Sequence, residues 1–416
     1  MKAMALARLR QLSAHEIGHT LGLAHNFAAS INNRASVMDY PHPFIQLLAD
    51  GKLDFSQAYD DKIGEWDKRA ILYGYQDFPE GTDETAALRQ ILDENIAKGL
   101  RYISDQDARP LGGAHPYAHL WDNGTDAVAE LERILTIRNA ALQRFGSNNI
   151  APNHPYANLE EVLVPLYLSH RYQVEAVAKV IGGVNYNYAI RGDGQEIVKI
   201  VDAATQEAAI AALLKTLDPA LLALPEHILQ LIPPKPFGYY RGRESFQTRT
   251  GLGFDPISAA ESAIHTSIRL LLHPQRAARL VEHQALMPEM PGLGKTIDQL
   301  LANTWRPMSG NSYQDEIQRL CGQLSLQHLL GLAIHQEASS QVKAIAILKI
   351  GELEQDLQKT LLETKDLNQR AHYTYALQQI NWFKQNPAAY KTNTPVNMPD
   401  GSPIGSEHQC GFMHHR

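Results

Sequence analysis

The chain of 416 residues carries 38 Lys and Arg against 45 Asp and Glu, a net charge of -7, with 44% apolar residues and two cysteines. Two domains are the ordinary expectation for that length. Both signs of charge are interspersed, leaving no basic stripe for phosphates and no polybasic tail for a membrane, so nucleic acid is not an expected partner. Cys321 and Cys410 are too few and too far apart for a disulfide framework or a Cys-rich metal knuckle. No apolar run reaches the roughly 18 residues of a transmembrane span, and Arg8 and Arg10 interrupt what would be the apolar stretch of a signal peptide.

The first predicted element is a helix. Met1 to Leu12 is rich in Ala, Leu, Met and Arg and runs without Gly or Pro into His15-Glu16-Ile17-Gly18-His19-Thr20-Leu21-Gly22-Leu23-Ala24-His25. That segment fits H-E-x-x-H-x-x-G-x-x-H at every specified position. At 3.6 residues per turn, His15 and His19 share one helix face and both imidazoles can reach one ion, with Glu16 projecting beside them. Ala14, Ile17 and Leu21 fall on the opposite face, which is expected to anchor the helix against a core. Gly22 can take the left-handed conformation that ends a helix, letting the chain turn back and bring His25 to the same ion. Two histidines at helical spacing more often mark a solvated or packed face. Five specified residues together make a chance match on the order of 10⁻⁴ in a chain of this length.

Three neutral imidazoles hold Zn²⁺ at about 2.0–2.1 Å and leave its fourth tetrahedral position to water, as in catalytic sites. The pKa of such a water falls to roughly 7. Glu16 is placed to take its proton and pass it to a leaving amine, help worth roughly 10²–10⁴ in rate. His15, His19 and His25 are therefore the expected ligands of one catalytic Zn²⁺, and Glu16 is the expected general base. Met38, taken alone, reads as core filler, and Tyr40 as a half-buried loop aromatic.

With Ser36-Val37-Met38-Asp39-Tyr40 following it, the motif resembles the metzincin clan of zinc peptidases, and within it the bacterial zinc-dependent metalloproteases whose zinc module is called the Met-zincin domain. Arg8-Leu9-Arg10-Gln11, Asn26-Phe27, Trp121-Asp122-Asn123-Gly124 and the run from His170-Arg171-Tyr172-Gln173 to Gly182-Gly183 extend the likeness, strongly to about residue 195 and vaguely beyond. The resemblance implies that Met38 lies in a Met turn passing beneath the metal as a hydrophobic floor. It implies that Tyr40 is a displaceable ligand or a hydrogen-bond donor to the oxyanion. It also implies protein or peptide substrates in an extracytoplasmic setting: periplasmic, outer-membrane-associated or secreted. Metzincins carry, before the zinc helix, an upper subdomain whose sheet edge pairs with the extended substrate. His15 is close to Met1, so the chain is expected to be the C-terminal portion of a longer protein, or a truncated reading frame, without that N-terminal subdomain.

Past the Met turn, Tyr40-Pro41-His42-Pro43-Phe44 reads as an extended loop, with Phe44, Ile45 and Leu47 either lining a substrate pocket or packing into a core. Asp61 to Tyr73 reads as a short helix closed by Gly74. His115 and His119 flank Pro116, which argues against a ligand helix. Leu159, Leu163, Leu166, His170, Val174, Val177 and Ile181 form the apolar stripe of one helix, with Asn158 as N-cap, a kink at Pro165 and a stop at Gly182-Gly183; His170 reads as buried rather than as a ligand. Val184–Arg191 and Glu196–Val201 make a small hairpin over Gly192-Asp193-Gly194.

Asp218-Pro219 and Asp255-Pro256 each supply an N-cap with proline at the first helical position, and Pro233-Pro234 ends the first of these helices. Gly292-Leu293-Gly294-Lys295-Thr296 imitates a phosphate-binding loop, but Glu289 stands where its first glycine belongs, so it reads as an ordinary loop. Long helices are predicted over Gln314–Glu337, Val342–Leu362 and Leu367–Lys384, and His414-His415 is a polar tail.

The expected protein is thus mainly α with few strands. Residues 1–83 form the lower subdomain of a metzincin zinc peptidase, with zinc helix and Met turn, and residues 84–416 form a helical bundle or array. Its expected function is zinc-dependent endopeptidase hydrolysis by metal-activated water. The alternatives are a catalytically incomplete zinc-binding fragment serving as a helical interaction module, and a zinc hydrolase of small amides.

Overall fold

The computed structural model describes residues 2–251, 253–391 and 395–399; Cys410 and the His414-His415 tail lie outside them. Helix α1 (Lys2–Thr20) runs unbroken into the histidine motif. Two-residue strands β1 (Gln46–Leu47) and β2 (Leu53–Asp54) pair antiparallel. Helix α2 (Glu65–Tyr75) starts where Gly64 donates its N–H to the Asp67 carboxylate at 2.6 Å. It starts later than the sequence suggests, and Gly74 lies inside it rather than past its end. A glycine costs a helix about 1 kcal/mol relative to alanine without terminating it.

Helix α3 (Glu84–Ala97), the single turn α4 (Asp105–Ala108) and α5 (Ala127–Leu142) follow. The apolar stripe after Asn158 is divided between α6 (Leu159–Tyr167) and α7 (Arg171–Val180), separated at Leu168–His170 rather than merely kinked. Pro165 withdraws one N–H from α6. Asn158 makes no side-chain cap and instead accepts from Lys235 at 3.0 Å. The predicted hairpin forms from β3 (Val184–Tyr186) and β4 (Val198–Ile200), with Val184 opposite Ile200.

Helix α8 (Ala203–Lys215) precedes α9 (Pro219–Leu222), which Asp218 caps as expected but which lasts one turn. A second turn, α10 (Glu226–Leu229), stands between α9 and Pro233, so the prolines do not end the Asp218 helix. Asp255 caps α11 (Pro256–Leu271) by accepting from Ile257 and Ser258. After α12 (Pro274–Leu286), Gly292 is the N-cap of α13 (Leu293–Thr304). The phosphate-loop look-alike is thus a helix start rather than a loop, and its Lys295 pairs with Glu207 at 2.6 Å. The long helices α14 (Ser312–Ile334), α15 (Ser340–Glu363) and α16 (Leu367–Gln385) complete a mainly α fold. No described helix is long and apolar enough to cross a membrane.

Two apolar clusters result. The larger joins α5 to α16 through residues such as Leu131, Leu163, Ile210, Ile264, Leu329 and Ile380, and it takes in the buried thiol of Cys321. The smaller comprises Phe27, Ala28, Tyr40, Ile103, Ala108, Ala118 and Trp121. Helix α1 departs from the expected amphipathic anchoring: Ile17 is 59% exposed, Leu6 and Leu9 are exposed too, and the helix buries Gln11, His15 and Gly18 instead. Of the face expected to anchor it, Ala14 and Leu21 are half-buried, with Tyr75 of α2 donating its hydroxyl to Leu21 O at 3.0 Å, while Ile17 itself stays open.

Candidate metal centre

Helix α1 ends in a glycine turn. Gly22 has φ +81°, the Leu23 N–H donates to Gly18 O at 3.0 Å, and the Gly22 N–H donates to His19 O at 2.9 Å. These two bonds satisfy carbonyls that a helix end otherwise leaves open, and only glycine takes the left-handed turn cheaply. The reversed chain returns His25 to the helix face. The ring centroids of His15 and His19 are 4.7 Å apart, those of His19 and His25 4.8 Å, and those of His15 and His25 5.3 Å. One ligand atom from each histidine lies within 4.8 Å of the others.

The tautomers follow from the hydrogen bonds. His15 Nδ1 lies 2.6 Å from Val37 O and His19 Nδ1 lies 2.9 Å from Leu23 O. A carbonyl only accepts, so both Nδ1 atoms carry the proton. His25 Nδ1 faces the Asp105 carboxylate at 2.8 and 3.0 Å. In a neutral ring that leaves Nε2 as the lone pair available to a metal. The Nε2 atoms of His15 and His19 confront each other at 3.1 Å, and that of His25 is buried without a hydrogen-bond partner among the described residues. Facing lone pairs repel unless a cation lies between them. Burial, against the raising effect of the Val37 carbonyl, pushes the His15 pKa down to about 4 and keeps that ring in its neutral, ligating form. Three neutral imidazoles with occupied Nδ1 atoms fit a zinc ion.

Met38 is fully buried under this group. A Cβ at Gly18 would collide with Met38 Sδ, so a bare glycine lets α1 rest on the Met turn. The turn itself is held by Asp67, whose carboxylate accepts from Ser36 Oγ at 2.5 Å and from the Val37 N–H at 2.8 Å while also capping α2. Tyr40, 4% exposed, packs its ring 5.5 Å from His15, 5.0 Å from His25 and 4.9 Å from Trp121. Its hydroxyl accepts from Arg109 at 3.2 Å.

Trp121 holds this floor in place by donating its N–H to Tyr40 O at 2.8 Å, from a left-handed backbone (φ +60°) that is strained for so large a residue. Asp39 and Asp122 lie buried beside it. Burial raises both carboxyls, Asp122 to about 7, against the lowering effect of the Ser30 hydroxyl on Asp122.

Glu16 is exposed, next to His15 on α1. The sequence-predicted residues His15, His19, His25, Met38 and Tyr40 come together. The Phe44 ring meets the Arg34 and Arg133 guanidinium groups at 5.4 and 4.6 Å from its centroid, and Leu47 is exposed. His115 and His119 bond separately to Tyr186 O and Pro116 O, and His170 is buried.

Sequence reasoning missed Asp67, Asp105 and Arg109. Asp67 had a faint signal, an acidic residue three positions after Gly64. Asp105 and Arg109 had none, because a pair 80 and more residues downstream of His25 carries no spacing signature. Burial would raise the Asp105 carboxyl, but His25 and Arg109 outweigh it and hold it well below the usual carboxylate range.

No curated protein and no solved structure gives a significant match to this chain. Residues 1–311 match the family described as Met-zincin. That match takes in the histidine triad, its Met38 floor and most of the packing around them, and the chain belongs to the Met-zincin family.

Proposed function

We propose that the chain is a zinc-dependent endopeptidase in which His15, His19 and His25 hold one catalytic Zn²⁺. The observation that carries this reading is the set of three occupied Nδ1 atoms with three Nε2 atoms turned toward one another. Family membership, which points to a zinc metallopeptidase type of function, supports it. When bound, zinc supplies a Lewis acid that acidifies water and polarises a carbonyl.

The remaining chemistry belongs to the chain. Glu16, adjacent to His15 and open to solvent, takes a proton from the attacking water and delivers it to the leaving amine. The Tyr40 hydroxyl, held by Arg109 beside the His15 and His25 rings, stabilises the oxyanion of the tetrahedral intermediate. Met38 and Gly18 fix the height of α1 over its floor.

The test compares the zinc-loaded chain with Glu16→Gln on an unfolded protein substrate. The variant is expected to keep its zinc and to lose roughly 10²–10⁴ in cleavage rate. Equal cleavage by both proteins, or cleavage that survives complete removal of zinc, refutes the reading.

A further inference from the structure

Of the three histidines, His25 alone stands outside the helix, and it alone is held by a side chain. His15 and His19 rest their Nδ1 atoms on the backbone carbonyls of Val37 and Leu23, whereas His25 meets both oxygens of Asp105. Asp105 is in turn held by Arg109 Nε at 2.5 Å and by Ser104 Oγ at 3.2 Å. The same guanidinium extends Nη2 to the Tyr40 hydroxyl and lies 5.2 Å from the Tyr40 ring centroid and 5.4 Å from that of Phe27.

We infer that Asp105 and Arg109, on the single turn α4, are a positioning pair that fixes His25 and Tyr40 as one unit. This inference rests on the zinc reading above and adds to it the means by which the third ligand is oriented.

The backbone argues for a built arrangement rather than a chance ion pair. The chain just before α4 is stitched to the chain just after His25. The Phe27 N–H donates to Ile103 O at 2.8 Å, Asn26 Nδ2 donates to Arg101 O at 2.8 Å, and Asn26 Oδ1 accepts from the Ile103 N–H at 3.3 Å. Ile103 and Ala108 are buried in the same small cluster as Phe27 and Tyr40. At the far end of α4, Lys179 Nζ donates to Ala108 O at 2.5 Å. These bonds tie α4 to the chain beside His25 through the backbone and the small apolar cluster.

A carboxylate on Nδ1 has two effects that a carbonyl cannot match. Its charge makes Nε2 a stronger donor to a cation, and its two oxygens resist rotation of the ring. Arg109 then couples that carboxylate to Tyr40, so a shift of one group is felt by the other.

The test is zinc affinity, read by competition with a chromophoric chelator on the full chain, for the parent, Asp105→Asn, Arg109→Lys and His15→Ala. Asp105→Asn keeps the shape and removes the charge, and is expected to weaken zinc binding roughly 10–100-fold. Arg109→Lys keeps the charge but cannot span Asp105 and Tyr40, and is expected to weaken it by a smaller factor. Circular dichroism of the metal-free proteins checks folding, and Arg109→Lys carries the test should Asp105→Asn fail to fold. Parental affinity in both variants, with binding lost in His15→Ala, overturns the positioning pair and leaves the zinc site standing. Equal binding by the parent and His15→Ala overturns the zinc reading itself.

Discussion

The large apolar core and helix α1 are held in place by different physics. Helix α11 buries all but three of its sixteen residues, and the core around it is filled by aliphatic side chains from many helices, which need only be apolar and of fitting volume. Helix α1 buries three of its nineteen, Gln11, His15 and Gly18. What fixes α1 is directional: Gln11 Nε2 and His15 Nδ1 both reach Val37 O, at 3.3 and 2.6 Å, and Gly18 lies against Met38. The large core buries many more apolar side chains than α1 does, so most of the fold's stability is expected to reside there. The two should therefore fail separately.

The largest expected effect separates them from the core side. Leu329 is completely buried in α14, and Leu329→Ala should cost about 2–5 kcal/mol, the removed side chain plus the cavity it leaves. Urea unfolding measures that loss. Zinc affinity, measured well below the unfolding transition, should be unchanged. A parallel fall in affinity would mean that the helical core sets the site's geometry as well.

How much of this was readable beforehand follows the same division. His15, His19 and His25 were readable because ligation by one helix and one glycine turn demands fixed residue types at fixed spacing, and the backbone supplies the geometry. The hairpin at Val184–Ile200 and the three long C-terminal helices were readable from periodicity. Asp105 and Arg109 were not, because they meet His25 and Tyr40 only through the tertiary fold. Ile17 was misjudged for a different reason: periodicity says which residues share a face, and it is silent on whether another element covers that face. Gly74 and the Gly292–Thr296 stretch misled because glycine has two meanings at a helix boundary, a tolerated interior residue or an N-cap, and propensity alone does not separate them.

A smaller effect sharpens the contrast from the site side. The large core buries Glu160 and Glu261 against the guanidinium groups of Arg241 and Arg249, whereas the floor beside Tyr40 buries two carboxyls together, Asp39 and Asp122. Burial raises Asp122 from the ordinary carboxylate value to about 7, against the lowering effect of Ser30. A carboxyl whose pKa is higher in the folded than in the unfolded chain favours folding while it is protonated. Its contribution is complete below about 4 and is lost as pH rises through about 7. Asp122→Asn mimics the protonated form at every pH, so its Tm relative to the parent should rise between pH 5 and pH 8. A difference independent of pH would mean that Asp122 does not titrate in that window.

The smallest effect belongs to the exposed side chain of Ile17 on α1. Ile17 stands between Glu16 and Gly18, inside the motif itself, yet it is mostly exposed. Ile17→Ala removes a side chain that buries little and puts a better helix former in its place. The change should stay within about 0.5 kcal/mol in thermal unfolding and leave zinc affinity as it was. The equivalent truncation at Leu329 costs several times more because there the lost methyl groups leave a cavity. A loss of 2 kcal/mol or more at Ile17 would show that this side chain is packed in solution. The contrast would then break at its weakest point, since α1 would own an apolar anchor after all and its polar grip on Val37 would be secondary.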